Sequence, residues 1–254
     1  MIDQVLLGPD DVLPLLQASV SAIAPVALVV GDPARAERAA GVLAEAREVG
    51  RNREYLTFTG RYAGQPVTVS SHGVGAAGAA VCMEELLRAG VRRIIRAGTA
   101  GGLQPDVVDG DLVIATGAVR DEGTSLRLIP LEYPAVAATG IVTALGDAIE
   151  PESRVHRGVV LTSDLFYPMP MLGSSLQQWA DAGAVAVEME LSVLLVLAGL
   201  RGVPAGGIFA IDGNPVASAD MKEYSPHRDV VRQAADAAVR AGLTALTALT
   251  ALTG

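Results

Sequence analysis

Val26-Ala27-Leu28-Val29-Val30-Gly31-Asp32-Pro33-Ala34-Arg35 runs from an unbroken apolar block through a breaker into helix formers. It reads as a strand, a tight turn, and a helix with proline at its first position. The same alternation continues along the chain. Further strands are expected at 66–71, 93–98, 112–119, 155–162, 184–187 and 206–211. Helices are expected at 33–48, 76–89, 134–149, 174–181, 189–199 and 226–252. Strands alternating with helices predict an α/β fold: a twisted mixed central sheet, much of it parallel, with helices on both faces. Strand–glycine–helix junctions then gather at one edge of the sheet, where ligands of such sheets bind. No linker or composition break divides residues 1–254, so one domain is expected.

Working outward from that stretch, three arginines stand where an arginine is awkward without an anion beside it. Arg35 falls in the first turn of a helix, whose N-terminus already carries partial positive charge. Bound phosphate would reverse the sign of that interaction. Arg96 interrupts the apolar strand Arg93-Ile94-Ile95-Arg96-Ala97-Gly98-Thr99, and Arg53 lies in the polar stretch Gly50-Arg51-Asn52-Arg53-Glu54-Tyr55. Together they point to a site for phosphate or a similar anion.

Composition makes that cluster local. The 254 residues carry a net charge of −9, which argues against a general nucleic-acid or anionic-membrane surface. Mean hydropathy is high at +0.39, but the apolar blocks are short and broken by Gly and Pro, so no membrane span is expected. The start Met1-Ile2-Asp3-Gln4 has no basic n-region, and Cys82 stands alone; both fit a cytoplasmic, reducing location. His72, His156 and His227 lack metal-ligand spacing, so no metal is expected.

Individual motifs divide between functional and structural readings. His72-Gly73-Val74-Gly75-Ala76-Ala77-Gly78 contains G-x-G-x-x-G between a strand and a helix. The next strand ends in Arg96-Ala97-Gly98-Thr99, with no acidic residue for a ribose diol, so close helix–sheet packing explains it better than dinucleotide binding. Val187-Glu188-Met189-Glu190-Leu191 sets two carboxylates in an apolar segment; one suits a helix N-terminus, and Glu190 could equally hold a ribose diol. Asp212 precedes Gly213-Asn214-Pro215, which is turn chemistry or a general acid at the sheet edge. Phe166 is core or a stacking face for a base; with 4% aromatics, Phe166-Tyr167 beside proline favours stacking.

The ordered motifs Gly31-Asp32-Pro33-Ala34-Arg35, Arg53-Glu54, Arg96-Ala97-Gly98-Thr99, Pro130-Leu131-Glu132-Tyr133-Pro134, Ser163-Asp164-Leu165-Phe166-Tyr167 and Val187-Glu188-Met189-Glu190 resemble the hexameric-type nucleoside phosphorylases, nearest to uridine phosphorylases. The resemblance implies a single α/β domain around a partly barrel-like sheet. It implies reversible phosphorolysis of a purine nucleoside or uridine, with inorganic phosphate as co-substrate and no cofactor. Gly31, Arg35, Arg96 and Thr99 would bind phosphate, with Arg53 lent by a neighbouring subunit of a homo-oligomer, usually a trimer of dimers. Glu188, Met189 and Glu190 would face ribose; Phe166, Gly101 and Asp212 would face the base. Arg96 and Asp212 are the expected catalytic pair.

Three departures bear on substrate. Met169-Pro170-Met171-Leu172-Gly173 supplies neither the Gln nor the Arg with which uridine phosphorylases read uracil. Leu6 stands where the family has a histidine for the ribose 5′-hydroxyl, and Asp212 falls where purine-cleaving members keep their acid. A hydrolytic nucleosidase of the same fold, a non-catalytic nucleoside- or phosphate-binding relative, and a dehydrogenase are the rival readings.

Overall fold

The computed structural model describes residues 7–167, 171, 173–217 and 225–251. Its strands are β1 (Val26–Val30), β2 (Ala44–Asn52), β3 (Tyr55–Tyr62), β4 (Gln65–Ser71), β5 (Arg93–Gly102), β6 (Leu112–Asp121), β7 (Ala135–Val136), β8 (Val155–Ser163), β9 (Ala186–Glu188) and β10 (Ala205–Ile211). Its helices are α1 (Pro33–Ala40), α2 (Ala76–Arg88), α3 (Thr139–Asp147), α4 (Leu176–Asp181), α5 (Leu191–Gly199) and α6 (Asp229–Ala251).

The strands form one mixed sheet in the order β10-β6-β8-β9-β5-β1-β4-β3-β2, and a further pairing of β10 with β5 closes five of them into a barrel. Strand β5 makes that closure possible. Its first residues, Arg93 to Arg96, pair with β1 on one edge, while Gly101 and Gly102 pair with β9 on that edge further along. Its other edge pairs with β10 from Ile94 to Ala100. The partner therefore changes just beyond Arg96, opening the sheet where β1, β5 and β10 end in parallel.

The unbroken apolar run of β1 follows from burial on both sides. Ala27 and Val29 enter one core with α2 and α5, while Val26, Leu28 and Val30 enter the opposite core with α1, α3 and α6. Burying each of these valines and Leu28 contributes about 1.5–3 kcal/mol, and Ala27 less.

Three elements depart from the expected pattern, one of them β3, a strand at Tyr55–Tyr62 where none was expected. The helix expected at 33–48 stops at Ala40, and residues 44–52 form edge strand β2 against β3. Ala-Glu-Ala-Arg-Glu-Val favours a helix by propensity, but most of β2 is exposed, as suits a charged sheet edge. Gly50 fixes this packing: a Cβ there would lie 2.3 Å from the Leu16 carbonyl oxygen. The helix expected from residue 134 begins at Thr139, because Ala135 and Val136 pair with β6.

Candidate active site

The C-terminal ends of β1, β5, β8 and β10 border a cavity of about 1130 Å³ lined by Gly31, Arg35, Arg96, Thr99, Glu190 and Asp212 among others. Parallel strand ends at a change of strand partner are the expected place for a ligand in such a sheet.

Its floor is Arg96, 3% exposed in the middle of β5. The side chain lies forward along its own strand, over Gly98, because that residue is glycine: a Cβ there would meet Arg96 Cζ and the Phe209 ring at 3.0 Å. Phe209 supports the guanidinium from beneath, with Cζ 5.3 Å from the ring centroid. Arg96 Nε donates to Glu188 at 3.1 Å, Nη2 donates to Glu190, and Nη1 lies 2.9 Å from His72 Nε2. A guanidinium has five N–H groups, so one remains on each terminal nitrogen.

The two carboxylates on Arg96 differ in what else they do. Glu188 also accepts from the Glu190 and Leu191 N–H groups at 2.9 Å and from the Thr162 hydroxyl. Thr162 in turn accepts from the Ser192 N–H at 3.0 Å, so Glu188 and Thr162 together satisfy the opening turn of α5. Glu190 accepts from the Gly75 N–H at 2.6 Å. Burial pushes the Glu190 carboxyl above its ordinary range, Arg96 opposes that, and the Glu188 charge adds to the rise.

The wall is the β1–α1 turn. Asp32 caps α1 by accepting from the Ala34 N–H at 2.9 Å, which sets Arg35 in the first helical turn. Arg35 Nε is buried and has no hydrogen-bond partner among the described residues. Burial first, then the positive charge of Arg96, lowers its pKa, while Asp32 and Asp212 act in the opposite direction. Two guanidinium groups thus share one cavity, one matched by carboxylates and the other not. Arg35 is therefore the cation left to meet an anionic ligand.

Comparison with known proteins places the chain in a family. Residues 25–248 match the model of the phosphorylase superfamily. The chain belongs to the phosphorylase superfamily. It is 42% identical over 208 residues to a purine nucleoside phosphorylase of Plasmodium falciparum, covering 81% of this chain and 85% of that one. It is 41% identical over 197 residues to a uridine phosphorylase of Treponema pallidum, covering 74% and 76% respectively. Purine nucleoside phosphorylase from Toxoplasma gondii, solved in complex with immucillin-H, superposes with a TM-score of 0.91 at 33% identity, covering 98% of this chain and 100% of that one.

In this phosphorylase-superfamily chain, Gly31, Arg35, Arg96, Thr99, Gly101, Phe166, Glu188, Met189, Glu190 and Asp212 all line the one cavity. Asp212, 6% exposed, is aligned by its N–H bond to the Ala100 carbonyl at 3.1 Å. Phe166 is 47% exposed at the rim and packs edge-on against Tyr167, with centroids 4.8 Å apart. Gly101 admits Pro215, whose Cδ would lie 2.9 Å from a Cβ there. Arg53 does not reach the cavity of its own chain; it is exposed on the turn between β2 and β3 with φ 54°. Leu6 and Met169 lie outside the described residues.

The sequence reading missed His72, Gly75, Gly98 and Thr162 as parts of the site. His72 carried a signal, being a titratable residue directly after an apolar strand and before two glycines. Gly98 carried one as well: it is two residues from Arg96 and so on the same face of the strand. Among the described residues no cluster of His, Cys, Asp or Glu is placed to hold a metal, and no helix is long and apolar enough to cross a membrane.

Proposed function

We propose that this chain is a nucleoside phosphorylase that transfers the pentosyl group of a purine nucleoside to inorganic phosphate, releasing base and ribose 1-phosphate. The observation that carries the reading is Arg35: a half-buried arginine whose buried Nε has no partner among the described residues, beside Arg96, in the cavity that also holds Glu190 and Asp212. Two arginines directed at an anion are superfluous for an enzyme that uses water, and a dehydrogenase needs an acidic diol clamp after the glycine-rich turn.

In this reading phosphate sits against Arg35, the remaining N–H groups of Arg96, Thr99 and the Gly31 turn. A phosphate oxygen forms a bond to C1′ as the glycosidic bond breaks, and its electron pair leaves with the base. The sugar becomes cationic on the way, and the aimed phosphate dianion stabilises that charge. Glu190, beside Met189, accepts from the ribose hydroxyls. Glu188 is turned toward Arg96 and α5, so its part is to hold those groups and not to touch sugar. Asp212 protonates or hydrogen-bonds the departing base, at N7 for a purine. Phe166 and Gly101 lie along the base. Arg53, exposed on its turn, is read as a residue lent to a neighbouring copy, which makes the working unit at least a dimer.

The purine assignment draws on Asp212 at the end of β10 and on a 169–173 segment without Gln or Arg. The test is cleavage of inosine, guanosine, adenosine and uridine with phosphate and in phosphate-free buffer. Purine cleavage that requires phosphate and yields ribose 1-phosphate is expected, and Asp212→Asn should slow it by roughly 10²–10⁴. Equal cleavage without phosphate would make the protein a hydrolase. A preference for uridine would remove Asp212 from its role.

A further inference from the structure

The turn after β4 has no part in the reading above, yet it touches Arg96, the Gly31 turn and Glu190. His72 is fully buried, with Nε2 2.9 Å from Arg96 Nη1 and Nδ1 2.9 Å from the Gly73 carbonyl. An arginine N–H can only donate, so Nε2 must accept. The proton then sits on Nδ1 and is donated to Gly73, which fixes both tautomer and ring plane. One residue on, the Gly73 N–H donates to the Gly31 carbonyl at 2.9 Å. Two further on, the Gly75 N–H holds Glu190 at 2.6 Å. Gly73 and Gly75 have φ of 75° and 96°, and a Cβ on Gly73 would lie 2.6 Å from Glu54 Cγ, so glycine is required for this path.

We propose that His72 is a positioning residue for phosphate recognition: it holds the Arg96 guanidinium in the plane that leaves its two remaining N–H groups facing the cavity beside Arg35. The proposal rests on the phosphorolysis reading. Glu188 and Glu190 take Nε and Nη2, and without a third acceptor at Nη1 the group could tilt toward either carboxylate. The choice of histidine follows from charge. A third carboxylate at this place would compete with an incoming dianion, whereas an imidazole accepts a hydrogen bond and adds no negative charge. Burial, with Arg96 and Arg35 nearby, keeps the ring from protonating and so preserves its acceptor.

Two polar variants separate the contacts of the ring. The amide of His72→Asn can still reach Gly73 but is too short for Arg96, whereas the amide oxygen of His72→Gln reaches about as far as Nε2. His72→Asn should raise the phosphate KM about 10- to 100-fold, the loss of one hydrogen bond to a charged group, with the nucleoside KM held. His72→Gln should recover most of that loss. Calorimetric titration with inorganic phosphate should rank the three proteins in the same order without relying on turnover. The proposal is overturned if Asn leaves phosphate affinity unchanged, if both KM values move together, or if Gln is as impaired as Asn. Wild-type cleavage that ignores phosphate would instead overturn the phosphorolysis reading, and this proposal with it.

Discussion

Arg96 on the cavity floor is 3% exposed and lies between two carboxylates, whereas Arg35 on the wall has a buried Nε with no partner among the described residues. The sequence makes these two arginines look alike, since each interrupts or abuts an apolar strand. Their surroundings give them different work. Arg96 is part of the fold: its guanidinium pairs with both Glu188 and Glu190, and Glu188 in turn caps α5. Arg35 is held up by a capped helix turn, and its charge is left for a ligand. A floor that must stay put and a wall that must attract are built from one residue type by changing only what surrounds it.

Removing either charge sharpens the contrast, and the largest effect should come from the floor. Arg96→Met leaves two buried carboxylates unmatched, so the protein should lose about 3–5 kcal/mol of stability together with all phosphate-dependent turnover. Denaturant unfolding checks this, and an Arg96→Met protein as stable as wild type would deny Arg96 its structural half.

Arg35→Met should behave in the opposite way. Turnover should fall by roughly 10²–10³, as when one fixed donor to a developing or transferred charge is removed. The melting temperature should hold or rise, because no partner is stranded and a desolvated cation is gone. A variant that loses stability but keeps its phosphate KM would reverse the two assignments.

The smallest effect concerns the floor's neutral member. The His72 ring has its pKa held well below the ordinary 6.5 by burial, then by Arg96. Below 6.5 the unfolded chain takes up a proton that the folded chain refuses. Stability fully present above that pH is therefore lost as pH falls, by about 1.4 kcal/mol per pH unit for one proton. Subtracting the unfolding free energies of His72→Gln from those of wild type across roughly pH 5 to 7 isolates this slope from the other titrating groups. Parallel curves would mean that the ring protonates in the folded state.

The comparison also explains which parts of the site could be read in advance. Arg35 was legible because its oddity is local: a cation in the first turn of a helix conflicts with the dipole whatever the rest of the chain does. The partners of Arg96 were not legible, because His72, Glu188 and Glu190 arrive from different strands and turns, up to 94 residues away. Arg53 was expected from a neighbouring subunit, and its own chain does not bring it to this cavity.

Residues alone determined that alternating apolar strands and helices would build an α/β sheet covered by helices, and that its glycine-rich junctions would gather anion-seeking side chains. Periodicity and helix-end electrostatics act over a few residues, so they survive in a one-dimensional reading. Tertiary structure decided that residues 44–52 would be an edge strand despite their helix propensity, since β3 offered backbone partners and Gly50 fitted against Leu16. It decided too that β5 would change partners beyond Arg96, closing the barrel and opening the cavity. Which arginine is matched and which is left for a ligand depends on carboxylates brought together only when that barrel closes.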